Sequence, residues 1–405
     1  MIAVLWRTPF LRSACIGLFI SGIGVSSTMP QMTLFLVNEL HLSTSTAGLY
    51  YLVNLLAPVS GFVVGSLSDR LQNRLVLYRL CALLAAIGWV AMSMATRPWQ
   101  PFVIGAVALS LGGGAMGQLF AATRDELSRH PTAINNRVIS AIRMAFSAGW
   151  IVGPVLGSWF GSAFGLRPLL VATAVCAIGQ IVPLGTRRVQ RYVRPSPPMA
   201  VEQHDPTSTA AEQRPDSRTP LLIFLGCCVL MMNGDTMKFA YLPLYMENDL
   251  RLSDELRGAV IAIQPFLELL LMPFAARLAD RFTPIRVLAG ASLLGIGAHL
   301  CYATSTQVGG LFLGQILMSG VWAASAGLGI TVAQQLYPQR VGLASSMYGS
   351  TLPLAGALGG ALGAFGVGSL GIPHVFFIPA ALTVCGFIGM VLTARRYRPD
   401  DSAFG

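Results

Sequence analysis

Charge is what this chain has least of. Only 11% of its 405 residues are Asp, Glu, Lys or Arg, against about 25% in an ordinary soluble domain. A water-soluble globule of this size cannot cover its surface with so few charges, and a disordered chain needs the opposite composition. Lysine is nearly missing: of 27 basic residues, Lys238 alone is not Arg. No basic stripe is interleaved with stacking aromatics, so the net charge of +10 is not the footprint of a nucleic-acid binder. Cysteine is sparse and odd in number. The seven (Cys15, Cys81, Cys176, Cys227, Cys228, Cys301, Cys385) all lie in apolar runs and none has metal-ligand spacing with His, which excludes a disulfide framework and a zinc site. No G-x-x-x-x-G-K-[ST] loop is present, so an ATP-driven pump is excluded, and no Ser/His or His/Glu pair stands at catalytic spacing. No cofactor and no enzymatic activity are expected.

What is present is apolar length. Hydrophobic residues make up 54% of the chain and mean hydropathy is +0.64. A spanning helix needs about 20 mostly apolar residues. Twelve segments meet this, roughly 10–36, 43–67, 75–95, 99–123, 136–161, 165–185, 220–246, 256–276, 285–304, 308–334, 341–367 and 371–393. The first is too long for a signal-peptide core and reads as a retained helix. The fold class is therefore an all-α polytopic membrane protein. Of the Arg and Lys residues, 21 fall at loops and helix ends of one side, and Arg97, Arg167, Arg251 and Arg257 on the other. That asymmetry places the Arg-rich side and both termini in the cytoplasm, in a plasma membrane that would be the inner membrane of a bacterium.

Residues 187–217 are rich in Pro and polar side chains and read as a cytoplasmic linker between an N-terminal six-helix bundle, 1–186, and a C-terminal one, 218–405. The halves repeat in the same orientation. Leu40-x-Leu42-Ser43 returns as Leu250-x-Leu252-Ser253, Gly48 as Gly258, and Asp69-Arg70 as Asp280-Arg281. Parallel repeats of six helices build transporters with a site between the halves.

Two motifs carry mechanism. Gly65-Ser-Leu-Ser-Asp69-Arg70-Leu-Gln-Asn-Arg74 joins the second and third segments, with a second copy at Ala276 to Arg286 around Asp280 and Arg281. Gly65 would admit a neighbouring helix, Asp69 could pair with Arg or a helix N-terminus when this side is closed, and Arg70 and Arg74 would hold the loop on the cytoplasmic side. Here the chain resembles the major facilitator superfamily in its gating motif. In the fifth segment Gly149, Gly153, Pro154 and Gly157 form a small-residue packing face bent by proline. It is similar to the superfamily's motif of exporters and proton antiporters. Within the superfamily, Asn54, Gln118 to Asp125, Arg143 to Pro154, Leu267-Glu268 with Pro273, and Gln334 to Pro338 resemble the sugar efflux transporter family. Tyr241 before Leu242-Pro243, where an Asp is often found, and Lys238 one turn earlier depart from it. The resemblance implies twelve helices in two pseudo-symmetric bundles and export of a small solute, a sugar or glycoside, by proton antiport with alternating access. Drug efflux is the alternative. The partners expected are the substrate, protons and lipid, with the chain a monomer.

Ionisable groups inside apolar segments are costly and usually face a cavity or a partner. Five stand there: Arg143, Asp235, Lys238, Glu268 and His299. Asp235 and Lys238 are three apart, on one helix face, and can neutralise each other. Glu268 has only apolar neighbours along its helix, and low dielectric favours the neutral acid that a proton carrier must form; it is the first proton-coupling candidate and Asp235 the second. Arg143 reads as a cavity residue that pairs with an acid such as Asp125 or Glu268. His299 reads as a satisfied packing residue. Gln31, Asn54, Gln118, Asn233, Gln264 and Gln315, with Arg143, Lys238 and Trp322, form the candidate sugar-binding set, because amides pair with hydroxyls and rings stack on a sugar's apolar face.

Overall fold

The computed structural model describes residues 8–71, 73–129, 135–189 and 218–396. All regular elements among them are helical. Eleven are long and apolar enough to cross a membrane: α1 Pro9–Glu39, α2 Thr44–Ser68, α3 Arg74–Ser93, α4 Gln100–Arg129, α6 Leu166–Leu184, α7 Thr219–Asp249, α8 Asp254–Phe282, α9 Pro284–Thr304, α10 Val308–Leu336, α11 Pro338–Leu370 and α12 His374–Arg395. The remaining long helix, α5 Asn135–Phe164, has thirty residues. It carries a comparable apolar stretch, 138–156, with Arg143 its one charged residue, and sets Gly149, Gly153 and Gly157 on the face it packs against α1. The chain also requires it to cross. Arg167, at the start of α6, pairs with Glu39 at the end of α1, whereas Arg187 beyond α6 bonds the carbonyl of Pro9 at the start of α1. Most of the linker, 190–217, lies outside the described residues.

Turn chemistry makes the repeat visible. α1 and α7 both end in a π-helical turn, Phe35–Glu39 and Tyr245–Asp249. The Leu40 amide bonds the Phe35 carbonyl and Leu42 bonds Leu36; Leu250 and Leu252 repeat this with Tyr245 and Met246. His41 and Arg251 then take the same left-handed conformation, φ 54° and 48°. Ser43 and Ser253 are the N-caps of α2 and α8. A shared four-residue pattern, 210 positions apart, thus encodes the same hairpin twice.

The two halves meet on the side opposite the Arg-rich loops. α5 presents Gly149, Gly153 and Gly157 to α1, so closely that a methyl group at any of them would collide with α1 backbone or with Ser26. Ser26 and Ser27 donate across this seam to the carbonyls of Gly149 and Gly153, at 3.2 and 2.9 Å. On its other side α5 meets α8, where Gly258 packs on Pro154, Val155 and Ser158. The symmetric seam joins α2 to α11, and Tyr241 of α7 is wedged there against Gly48 and Gly363. Toward the Arg-rich side the halves part: Cβ atoms built on Gly65, Gly117, Gly342 and Gly349 would meet nothing within 4 Å. The close helix approach expected at Gly65 is therefore not made in this conformation, which is open on that side.

Candidate functional site

The polar centre of the molecule is built on α7. Asp235 and Lys238 share a face, and the Lys238 ammonium lies 2.5 Å from Asp235 Oδ1. Lys238 is 1% exposed, so its charge rests wholly on protein partners. It donates also to Gln264 Oε1 of α8 and sits over the Phe239 ring, 4.4 Å from its centroid. Trp322 of α10 donates its indole N–H to the same Asp235 oxygen at 3.2 Å. Three helices thus converge on one ion pair, and charges so buried persist only when paired and hydrogen-bonded. Glu268, one turn beyond Gln264, lies within electrostatic reach of both Asp235 and Lys238. It makes no hydrogen bond or ion pair among the described residues. Pro265 and Pro273 lie within α8 on either side of it and remove two backbone donors from this stretch.

From the N-terminal half, α5 sends one face toward this centre. Trp150 packs on Phe239, ring centroids 6.1 Å apart, and on Phe146. Its buried indole N–H has no partner among the described residues. Two turns along the same face Arg143 is exposed and stacks on Phe120 of α4, 5.7 Å from the ring centroid. It pairs with neither Asp125 nor Glu268. A cavity of about 390 Å³ in the N-terminal half is lined by Asn54, Tyr50, Trp89, Met29, Phe146 and Gln180, among others. Asn54 lies in a 3₁₀ stretch of α2, Tyr50–Leu56, just before Pro58, and faces Gly356 of α11. Such a stretch inside a helix marks a strained or hinged position.

The Arg-rich end of the first half is tied by a separate network. Arg74 pairs with Asp125 and donates to Ser68 at 2.7 Å, and Ser68 donates to Gln118 Oε1 at 2.6 Å. This corrects two expectations. Asp125 serves Arg74 rather than Arg143, and Gln118 is buried in a link between α2 and α4 rather than facing a substrate. The Asp69 side chain lies outside the described residues. Arg70, Asp280 and Arg281 are exposed, and Arg281 stacks on Phe282.

Other members of the expected binding set are dispersed. Gln31 is buried near the far end of α1. Asn233 is fully buried and its amide donates to the Leu230 carbonyl. Gln315 is fully buried in α10, and neither its amide nitrogen nor its oxygen has a partner among the described residues. His299, expected to be a satisfied packing residue, has both ring nitrogens buried and without a hydrogen-bond partner among the described residues. Sequence reasoning did not find the role of Tyr241 as the wedge of the α2–α11 seam; its position opposite the glycine repeat of α11 was the available signal. No group of three or more His, Cys, Asp or Glu side chains that could hold a metal occurs among the described residues.

The chain resembles known transporters along almost its whole length. It is 24% identical to a putative sugar efflux transporter of Deinococcus radiodurans, over 96% of this chain and 98% of the relative. It is 26% identical to sugar efflux transporter A of Dickeya chrysanthemi, over 94% and 95%. Multidrug resistance protein MdtG of Proteus mirabilis is 25% identical over 92% of each chain. The crystal structure of the nucleoside transporter NupG superposes with a TM-score of 0.74 at 16% identity, covering 97% of this chain and all of that one, a likeness of fold alone. The Major Facilitator Superfamily model matches residues 14–253 and 222–404. Two helical halves with a repeated hairpin, a polar centre between them and this match lead to one conclusion: the chain belongs to the Major Facilitator Superfamily, and it is a multi-pass membrane transporter rather than an enzyme.

Proposed function

We propose that the chain exports a sugar or glycoside from the Arg-rich, cytoplasmic side in exchange for protons. Its two six-helix units, 1–186 and 218–405, rock about the central site, and 187–217 joins them as a cytoplasmic linker. The observation that carries this reading is the pairing potential of Glu268 and Arg143. From the α5–α8 contact at Pro154 and Gly258, each lies ten or eleven residues toward the open side, about 15 Å along its helix. They stand at one depth on neighbouring helices, and neither is in an ion pair among the described residues. A carboxyl that carries a proton in one conformation and is claimed by an arginine in the other exchanges that proton with the conformational cycle. Amide and indole groups at Asn54, Gln264, Trp150 and Trp322 supply hydroxyl partners and stacking surfaces beside it, and relatives named sugar efflux transporters agree with a sugar-like cargo.

Transport of a panel of sugars, glycosides and lipophilic cations in proteoliposomes, with and without a pH gradient, tests this. Accumulation of a sugar only with the gradient is expected. Accumulation of lipophilic cations alone establishes drug efflux instead, a reading favoured by the predominantly apolar lining of the 390 Å³ cavity, with Met29, Met32, Met116 and Trp89. The proposed orientation predicts that cysteines introduced in 187–217 are labelled from the cytoplasm; labelling from outside intact cells overturns it.

Asp69 is proposed to act on closure of the Arg-rich side and not on the pocket. Asp69→Asn is expected to lower turnover roughly tenfold, within the usual range of conformational couplings, with substrate affinity and expression little changed. Unaltered turnover in flux assays removes Asp69 from the gate.

A further inference from the structure

α9 packs on α7, α8, α10 and α12, all of the C-terminal half, and stands apart from the seams that join the halves. Two grooves flank it. The larger, about 800 Å³, is lined by Phe274 and Leu278 of α8, Val287 and Leu294 of α9, and the small Gly320 and Ala324 of α10. The other, about 460 Å³, is lined by Ala289 of α9 and by Phe387, Val391 and Ala394 of α12. Arg286 and Gly290, one turn apart on α9, line both. A Cβ atom built on Gly290 would meet nothing within 4 Å, so the ridge between the grooves carries no side chain just below Arg286. Phe274, Leu278 and Leu294 are exposed, and in a membrane such faces meet lipid.

The charges at these grooves are of one sign. Arg277 and Arg281, near the end of α8, line the larger groove with Arg286, and Arg395, at the end of α12, lines the smaller. All four are exposed, and none is in an ion pair among the described residues. Arg277 lies over the Phe274 ring and Arg281 over that of Phe282, 5.9 and 5.3 Å from the centroids, so groove aromatics hold both guanidinium groups. Among the described residues no acid lines either groove, and the nearby Asp280 is exposed and lines neither. Charge asymmetry alone explains arginine on this side of the membrane. It does not explain four arginines around two apolar grooves. That pairing matches phosphates at headgroup level with acyl chains below them. A soluble anion would leave the apolar walls uncovered, and a zwitterionic lipid would bring an amine against four like charges. Guanidinium groups bind phosphate oxygens in pairs, and arginines on both flanks of Arg286 call for more than one phosphate.

We propose that these grooves form one site for an anionic phospholipid with two phosphates, seated on the Arg-rich side with its headgroup across Arg286 and acyl chains down both flanks of α9. Arg277 and Arg281 serve one phosphate, Arg395 serves the other, and Arg286 stands between them. The lipid ties the ends of α8 and α12 to α9, and so stabilises the C-terminal half. The site is independent of the cargo and of proton coupling.

The full chain, delipidated in detergent, is titrated with cardiolipin, phosphatidylglycerol and phosphatidylethanolamine at equal phosphate, and binding is read by native mass spectrometry and thermal melting. Cardiolipin is expected to bind about fivefold or more tighter than phosphatidylglycerol, the contribution of one further basic contact at a membrane surface, and to raise the melting temperature. Phosphatidylethanolamine should do neither. Arg286→Gln and Arg395→Gln should each weaken cardiolipin about fivefold. Gly290→Leu keeps every charge but fills the gap in the ridge, and should weaken it comparably. Nothing lies within 4 Å of that position, so its lipid-free melt should match wild type. The lipid comparison on wild type needs no variant to fold. If wild type holds phosphatidylethanolamine as well as cardiolipin, the grooves select no headgroup and the proposal falls. Equal binding of phosphatidylglycerol overturns the two-phosphate ligand. Wild-type affinity for cardiolipin in both Arg286→Gln and Gly290→Leu overturns the site.

Discussion

Glu268→Gln is expected to abolish pH-gradient-driven export, by about 100-fold or more, while leaving substrate binding and gradient-free exchange in place. Glutamine has the volume and hydrogen-bonding reach of the acid but cannot take up or release a proton. The side chain lies between Pro265 and Pro273 of α8, one turn from Gln264, with no hydrogen-bond partner among the described residues. Its replacement breaks no network and should leave the fold intact, so lost transport reports coupling rather than misfolding. Arg143 supplies the complementary check. If the arginine claims the carboxylate as the Arg-rich side closes, Arg143→Gln should keep exchange but weaken the response to the gradient, because nothing then displaces the proton. Counterflow and gradient-driven uptake measured on the same vesicles separate the two effects. A Glu268→Gln protein that still concentrates substrate as wild type does takes the carrier role from Glu268 and leaves Asp235 as the group to test.

Much of the architecture is legible in the sequence because the bilayer makes it so. A helix that must satisfy its own backbone across an apolar layer writes itself as a long apolar run, and eleven spans are recovered this way. α5 is read in the same way from its apolar stretch 138–156, even though its buried glycines serve close approach to α1. The Asp235–Lys238 pair was also readable, as both residues lie on one helix three positions apart. Its other partners were not. Gln264 and Trp322 come from α8 and α10, and no local rule brings three helices to one atom. The same limit explains the exchange of partners at Asp125. Arg74 and Arg143 are both plausible along the chain, and only the packing of α3 against α4 decides for Arg74. Gln118 and Gln315 show the complementary weakness. An amide in a membrane helix looks alike in sequence whatever it faces; the structure sets Gln118 against Ser68 and leaves the buried Gln315 amide without a partner among the described residues.

The second large effect is expected at the ion pair itself, as strong non-additivity. Lys238→Met leaves the Asp235 carboxylate with only the Trp322 indole as a recorded donor. Asp235→Asn leaves a 1% exposed ammonium held by neutral amide oxygens. Removing one partner of a buried pair typically costs about 3–5 kcal/mol, because the other charge stays in low dielectric uncompensated. Removing both charges together removes that penalty, and replacing such pairs by neutral groups of similar volume is often near neutral. The Asp235→Asn/Lys238→Met protein should therefore be more stable than either single variant and close to wild type in thermal melts in detergent. Transport should not recover with it. The double variant keeps the shape of the site but has lost the charge that couples Gln264 and Glu268 to α7, so gradient-driven flux stays low while the melting curve returns. If instead each single variant melts like wild type, the pair is hydrated in the membrane rather than sealed. Its contribution then shrinks to that of an exposed ion pair, about 0–1 kcal/mol, and the strain that would link this charge to the conformational cycle is absent.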